Sequence, residues 1–181
     1  MREPKIDADI TGLAGFTEQL RRGQVRASAR VVSATVVPAS RGVAAALDVG
    51  KDDDVYEIVR VRRARGVPLA LERSYLPAAL FPGLLDRRLT GSLYRLLAKD
   101  YNSAPQSAVE YLEPFIATDA VARLLDVEEG SALMLIERTA SSAAGRPIEY
   151  ARDIFRSDRI RISVRTVAGE SGALRSAAPE D

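Results

Sequence analysis

Residues 55–76, from Val55 to Leu76, read VYEIVRVRRARGVPLALERSYL, and the fold follows from how that stretch divides. Val, Ile, Tyr and Leu crowd both ends of it, as they do in strands. Arg65-Gly66-Val67-Pro68 interrupts it with turn residues, which leaves a strand over 55–65 and a returning strand over 69–76. A connection this short joins antiparallel neighbours, because a parallel pair needs a crossover of about a dozen residues or more. The stretch is a β-hairpin. Side chains alternate along its first strand, so Tyr56, Ile58, Arg60 and Arg62 share one face and Val55, Glu57, Val59 and Val61 share the other. Two arginines on one strand face sit roughly 7 Å apart at the backbone, close enough for their guanidiniums to meet on one anion. Taken alone they fit equally an ordinary condition: solvated surface charge, or partners of Glu72 on the neighbouring strand.

The pattern continues outward from the hairpin. Upstream, Val, Ser, Thr and Ala over 25–37 read as a strand that Pro38 closes, and a short helix runs from Ser40 or Arg41 to Leu47 into the polar turn 48–54. Residues 15–23 read as a short helix with Thr17 as cap and Gly23 as stop. Downstream, 77–89 is a loop, and 92–101 is an amphipathic helix with Leu93, Leu96 and Leu97 on one face. A strand over 106–117 carries Pro114, which suits an edge or a bend. Asp119 caps a helix ending at Leu125, a second hairpin spans 133–140 and 147–155 around Gly145, and 160–164 alternates like a half-exposed strand. Residues 1–12 are polar and irregular and read as a linker remnant, 13–165 as the folded domain, and 166–181 as a disordered tail.

The second hairpin repeats the first. Leu47-Asp48-Val49 recurs as Leu125-Asp126-Val127, seventy-eight positions later, and at that spacing Ile58 meets Ile136 and Arg60 meets Arg138. One position further on, Gly66 meets Gly145 and Pro68 meets Pro147. The expected fold is α+β: two helix–hairpin units, internally duplicated, joined in one antiparallel sheet with helices on one face. The halves differ at one telling place, since Ala140 stands where Arg62 would recur.

Composition narrows the chemistry. The 181 residues contain no Cys and no His, which removes thiolate nucleophiles, the usual general base at neutral pH and the commonest metal ligands. No catalytic residue, metal site or cofactor is expected. The formal charge is +1, with 26 basic and 25 acidic residues, whereas a domain that grips DNA usually carries a clear basic excess. No apolar run is long enough for a membrane span and no signal-peptide pattern appears, so a cytoplasmic protein is expected. Phe16-Thr17 and Gly91-Ser92 place hydroxyls at helix starts, where free N–H groups receive anions, although plain N-capping is their commonest role.

These residues resemble the UTRA domain, the effector-binding half of GntR-type bacterial transcription regulators of the HutC subgroup. The likeness spans about residues 6–165. It rests on Gly15-Phe16-Thr17, Arg60-Val61-Arg62, Glu72 through Pro77, Gly91-Ser92-Leu93-Tyr94, Leu125-Asp126-Val127 and Gly145 through Glu149. The resemblance implies a chorismate lyase-like fold without lyase activity, and a small anionic effector such as a sugar phosphate or organic acid. It also implies anion contacts from Arg60, Arg62, Thr17 and Ser92 beside Phe16, with Glu72, Tyr94 and Glu149 on the rest of the ligand. Phe155 stands where some members carry a Tyr, which removes a hydroxyl from the site. The family further implies a homodimer and DNA contact only through a winged-helix domain not present in this chain. Two other functions fit the same residues: a chorismate lyase-like enzyme using Glu72 or Glu149 as acid or base, and a ligand-free dimerisation module with Arg60 and Arg62 in ion pairs.

Overall fold

The computed structural model describes residues 5–9 and 27–163. The central hairpin is β3 (Asp54–Ala64) and β4 (Val67–Pro77), antiparallel. Arg65 (φ 50°) and Gly66 (φ 84°) alone connect them, both left-handed, which is the geometry whose twist suits a two-residue hairpin. The other hairpin is β6 (Ala132–Ser141) and β7 (Pro147–Phe155). Strands β2 (Ala27–Pro38) and β5 (Ser107–Ile116) flank them, and β4 pairs with β7 to give one antiparallel sheet in the order β2-β3-β4-β7-β6-β5. Pro114 thus lies on an edge strand, as its missing N–H favours.

The short helices α1 (Arg41–Leu47) and α3 (Asp119–Leu125) pack crosswise on one sheet face. Leu125 and Ala122 of α3 meet Val59, Val61 and Leu71 of the first hairpin, while Leu47 and Val43 of α1 meet Val55 with Tyr75 and Tyr150. Each helix therefore ties its own half to the other. The helix α2 (Leu93–Tyr101) lies on the opposite face, where Leu93 and Leu97 join Tyr56, Ile58, Leu76, Phe81 and Leu84. Helices on a single face were the expectation; they cover both, and β3 is buried along nearly its whole length in consequence.

The two Leu-Asp-Val segments share a backbone geometry. Asp48 and Asp126 are both left-handed (φ 52° and 55°), a conformation Asp tolerates. The N–H groups of Val49 and Val127 donate to the carbonyls of Ala44 and Ala122, each at 3.1 Å. Ala39 and Ala117 likewise donate to Asp53 and Ser131, at 2.8 and 2.9 Å.

Two local expectations change. Thr118, not Asp119, is the N-cap of α3; Asp119 is its first helical residue and pairs with Arg123 one turn on. The segment read as an irregular linker contains β1 (Ile6–Asp9), which runs parallel to β8 (Ile160–Ser163) in a small separate sheet. The helix expected over 15–23 and the tail beyond 166 lie outside the described residues.

Leu125 is fully buried at the crosswise contact, whereas Ile116 on the edge strand is 63% exposed. Leu125→Ala should cost about 2–5 kcal/mol in urea unfolding, and Ile116→Ser should stay within about 0.5 kcal/mol of wild type.

Candidate functional site

Cross-strand partners share a face, so the register alone arranges the polar side chains. Arg60 is opposite Glu72, Glu72 is opposite Asp153, and Asp153 is opposite Ile136. One pair along, Arg62, Ala70, Phe155 and Met134 form a parallel row. On the other side, Ile58, Ser74, Ala151, Arg138 and Glu110 form a third. All three rows lie on the face that carries α2.

Arg60 and Arg62 are only 5% and 1% exposed, so they are not solvated surface charge. They pair with Glu72 instead. Arg60 Nη2 is 2.8 Å from Glu72 Oε2, and Arg62 Nε is 3.6 Å from Oε1. Arg60 Nη1 also donates to the carbonyls of Leu89 and Gly91, each at 3.1 Å. One guanidinium thus clamps the sheet to the loop that leads into α2. Ser92 begins that helix, and its Oγ accepts from the Arg95 N–H at 3.3 Å, an ordinary cap whose own O–H is left to donate.

A second group adjoins the first. Tyr94 donates its hydroxyl proton to Glu149 Oε2 at 2.6 Å, and Arg138 Nη1 donates to the same Tyr94 oxygen at 3.2 Å. Arg138 also pairs with Asp153 Oδ2 and lies 3.2 Å from Glu110 through Nε. Because Ala151 stands directly opposite Arg138, the guanidinium reaches diagonally to Asp153. Phe155 sits apart from the carboxylates, packed with Ala64, Leu69, Ala70, Ile136 and Ile160. Thr17 and Phe16 lie outside the described residues.

Of the residues singled out by sequence, the structure brings together Arg60, Arg62 and Glu72, and joins Tyr94 to Glu149. Asp153 and Arg138 are functional candidates that the sequence reading does not select. Counting in twos from Glu149 along β7 would have put Asp153 on the same face. The match of Arg138 to Arg60 pointed to the other.

Burial sets the electrostatics. It pushes the Asp153 carboxyl up to about 8; Arg138 pulls the other way, while Glu72 and Glu149 reinforce the rise. Burial also raises the Tyr94 hydroxyl well above its ordinary range, with Glu149 adding to the effect. Burial opposes the charge on Arg138, yet Tyr94 and the surrounding carboxylates hold that guanidinium firmly protonated. For Arg62 burial dominates and lowers the value, with Glu72 opposing and Arg60 adding to the drop. Among the described residues no acidic cluster is arranged to hold a metal ion.

The chain is similar to known regulators over most of its length. A family model described as the UTRA domain matches residues 22–161. The HTH-type transcriptional repressor NagR of Bacillus subtilis is 32% identical over 158 residues, covering 87% of this chain and 65% of NagR, so this chain spans less than two thirds of that relative. The crystal structure of PhnF from Mycobacterium smegmatis superposes with a TM-score of 0.85 at 25% identity, covering 92% of this chain and 73% of PhnF. A ligand-binding domain of a GntR-family regulator from Bordetella bronchiseptica superposes at 0.69 with 26% identity, over 74% of this chain and 87% of that one.

The Asp153 carboxyl keeps its proton in the folded protein to about pH 8 but ionises near pH 4 when unfolded. Its contribution to stability is full below about pH 4 and is lost as the pH rises toward 8. Urea unfolding from pH 5 to 8 should therefore show wild type losing stability steadily relative to Asp153→Asn. Parallel curves would mean that Asp153 is ionised throughout.

Proposed function

This chain belongs to the UTRA domain family, and on that premise we propose that it is the effector-sensing domain of a GntR-type regulator, taking a small anionic metabolite at Arg60 and Arg62. The observation that carries the proposal is the pair of arginines buried on one face next to a helix start. A buried ion pair is seldom the most stable filling for a sheet; well-packed apolar residues often do as well or better. Its retention makes sense if the guanidiniums serve an incoming ligand.

In this reading a phosphate or carboxylate group takes the Arg60 and Arg62 forks, with a donor from Ser92 at the start of α2 and, by family likeness, contacts from Thr17 and Phe16. Glu72, Tyr94 and Glu149 face the remainder of the ligand. Phe155 presents an apolar ring in the Arg62 row, beyond Ala70, which suits a ligand with one hydroxyl contact fewer.

The Arg60 clamp suggests how binding is transmitted. Its bonds to Leu89 and Gly91 hold the start of α2 against the sheet. An anion competes for the same nitrogens and loosens that clamp, which favours a second position of the loop and helix. By family likeness, the shift would change the spacing of two winged-helix DNA-binding domains in a homodimer, and with it the affinity for an operator.

A thermal-shift screen against sugar phosphates and small organic acids should find a ligand that raises the melting temperature. Calorimetric titration of that ligand should then show at least about tenfold weaker binding to Arg60→Lys and Arg62→Lys, because an ammonium cannot replace the planar fork. Unchanged affinity in both variants, with circular dichroism unaltered, would overturn the assignment of the anion site.

A further inference from the structure

Asp153 occupies the point where the charges of four strands meet. Arg60 and Arg62 approach from β3, Glu72 from β4, Arg138 from β6, and Glu149 lies four residues back on the same face of β7. Tyr94 from α2 and Glu110 from β5 reach the group through Arg138. Asp153 Oδ2 is taken by Arg138, but Oδ1 is buried and has no hydrogen-bond partner among the described residues.

An orphaned oxygen on a buried, ionised carboxylate is costly, and two neighbouring carboxylates make it more so. A proton on Asp153 removes the charge, the larger part of that cost. The count of charges agrees. Arg60, Arg62 and Arg138 supply three positive charges, and Glu72, Glu110, Glu149 and Asp153 would supply four negative ones. One proton balances the cluster. The burial that raises the Asp153 carboxyl works in the same direction.

An anion settling on Arg60 and Arg62 neutralises the positive charge that Asp153 would need in order to ionise. We propose that Asp153 is the proton-holding specificity residue of the site, so that an anionic effector binds together with a proton on Asp153. This rests on the anion-site reading above. The residue acts through the charge balance, with Arg138 fixing its orientation, and needs no contact with the ligand. The chemical class selected is an oxyanion such as a phosphomonoester, which a neutral Asp153 admits and an ionised Asp153 would repel.

Sodium sulfate is a suitable probe, because it stays a dianion across the working range and any response to pH must come from the protein. Calorimetric titration of the full chain with sulfate, in two buffers of different ionisation heat, counts the protons taken up. At pH 8.5 about one proton should enter per sulfate bound, and the affinity should fall by up to about tenfold per pH unit above pH 8 and level off below pH 7. Asp153→Asn should bind with a pH-independent affinity and take up no proton. Should that variant fail to fold, the proton count of the wild type decides alone. Binding without proton uptake, at one affinity from pH 6 to 9, would overturn the proton linkage and leave the anion site standing. No sulfate binding at any pH would overturn both.

Discussion

Arg60 and Glu72 face each other in register across the two strands at the heart of the first hairpin, both almost wholly removed from water. Breaking a pair in this position strands a charge, at a penalty of about 3–5 kcal/mol, so each residue constrains the other. The constraint spreads. Glu72 also faces Arg62, and Arg60 gives its Nη1 to the carbonyls of Leu89 and Gly91. The loop before α2, and so the placement of Ser92 and Tyr94, depends on one guanidinium. Asp153 then stands next in the same row and connects this group to Arg138, Tyr94 and Glu149.

The scaffold holds that row still by loading the opposite face of the sheet. There α1 and α3 each pack across the seam where β4 meets β7, with Leu47 and Leu125 as their deepest side chains. The Leu-Asp-Val geometry explains why the segment recurs: the Leu is buried, the Asp turns the chain left-handed, and the Val N–H closes on a carbonyl of the helix. With the apolar helices on one face, the other carries, among the described residues, the charged rows and α2. A site between a rigid sheet and one clamped helix can register binding as movement of the helix alone.

Much of this was legible in the sequence. A short turn over Arg65 to Pro68 between alternating strands dictates an antiparallel hairpin, and the period of two put Arg60, Arg62, Ile58 and Tyr56 on one face. Burial of the arginines was not legible, since an Arg in a strand normally signals solvent, and it takes the packing of other elements, α2 and its loop among them, over that face to remove the water. The amphipathic stripe of Leu93 and Leu97 announces that α2 packs, but carries no sign of which sheet face receives it. Asp153 escaped for a related reason: an acid directly after Arg152 on β7 looks like surface charge until Glu72 and Arg138 are placed beside it by pairing between distant strands. The shift from Asp119 to Thr118 at the α3 cap is smaller, because both residues prefer helix starts and the backbone decides between them.

The central claim is that the buried Arg60–Glu72 pair is kept for an anion. Melting the Arg60→Met/Glu72→Leu double variant with and without inorganic phosphate tests it most directly. The account predicts that phosphate raises the melting temperature of wild type and leaves that of the variant unmoved, whatever the variant's starting stability. A variant that still gains as much from phosphate as wild type does would contradict it.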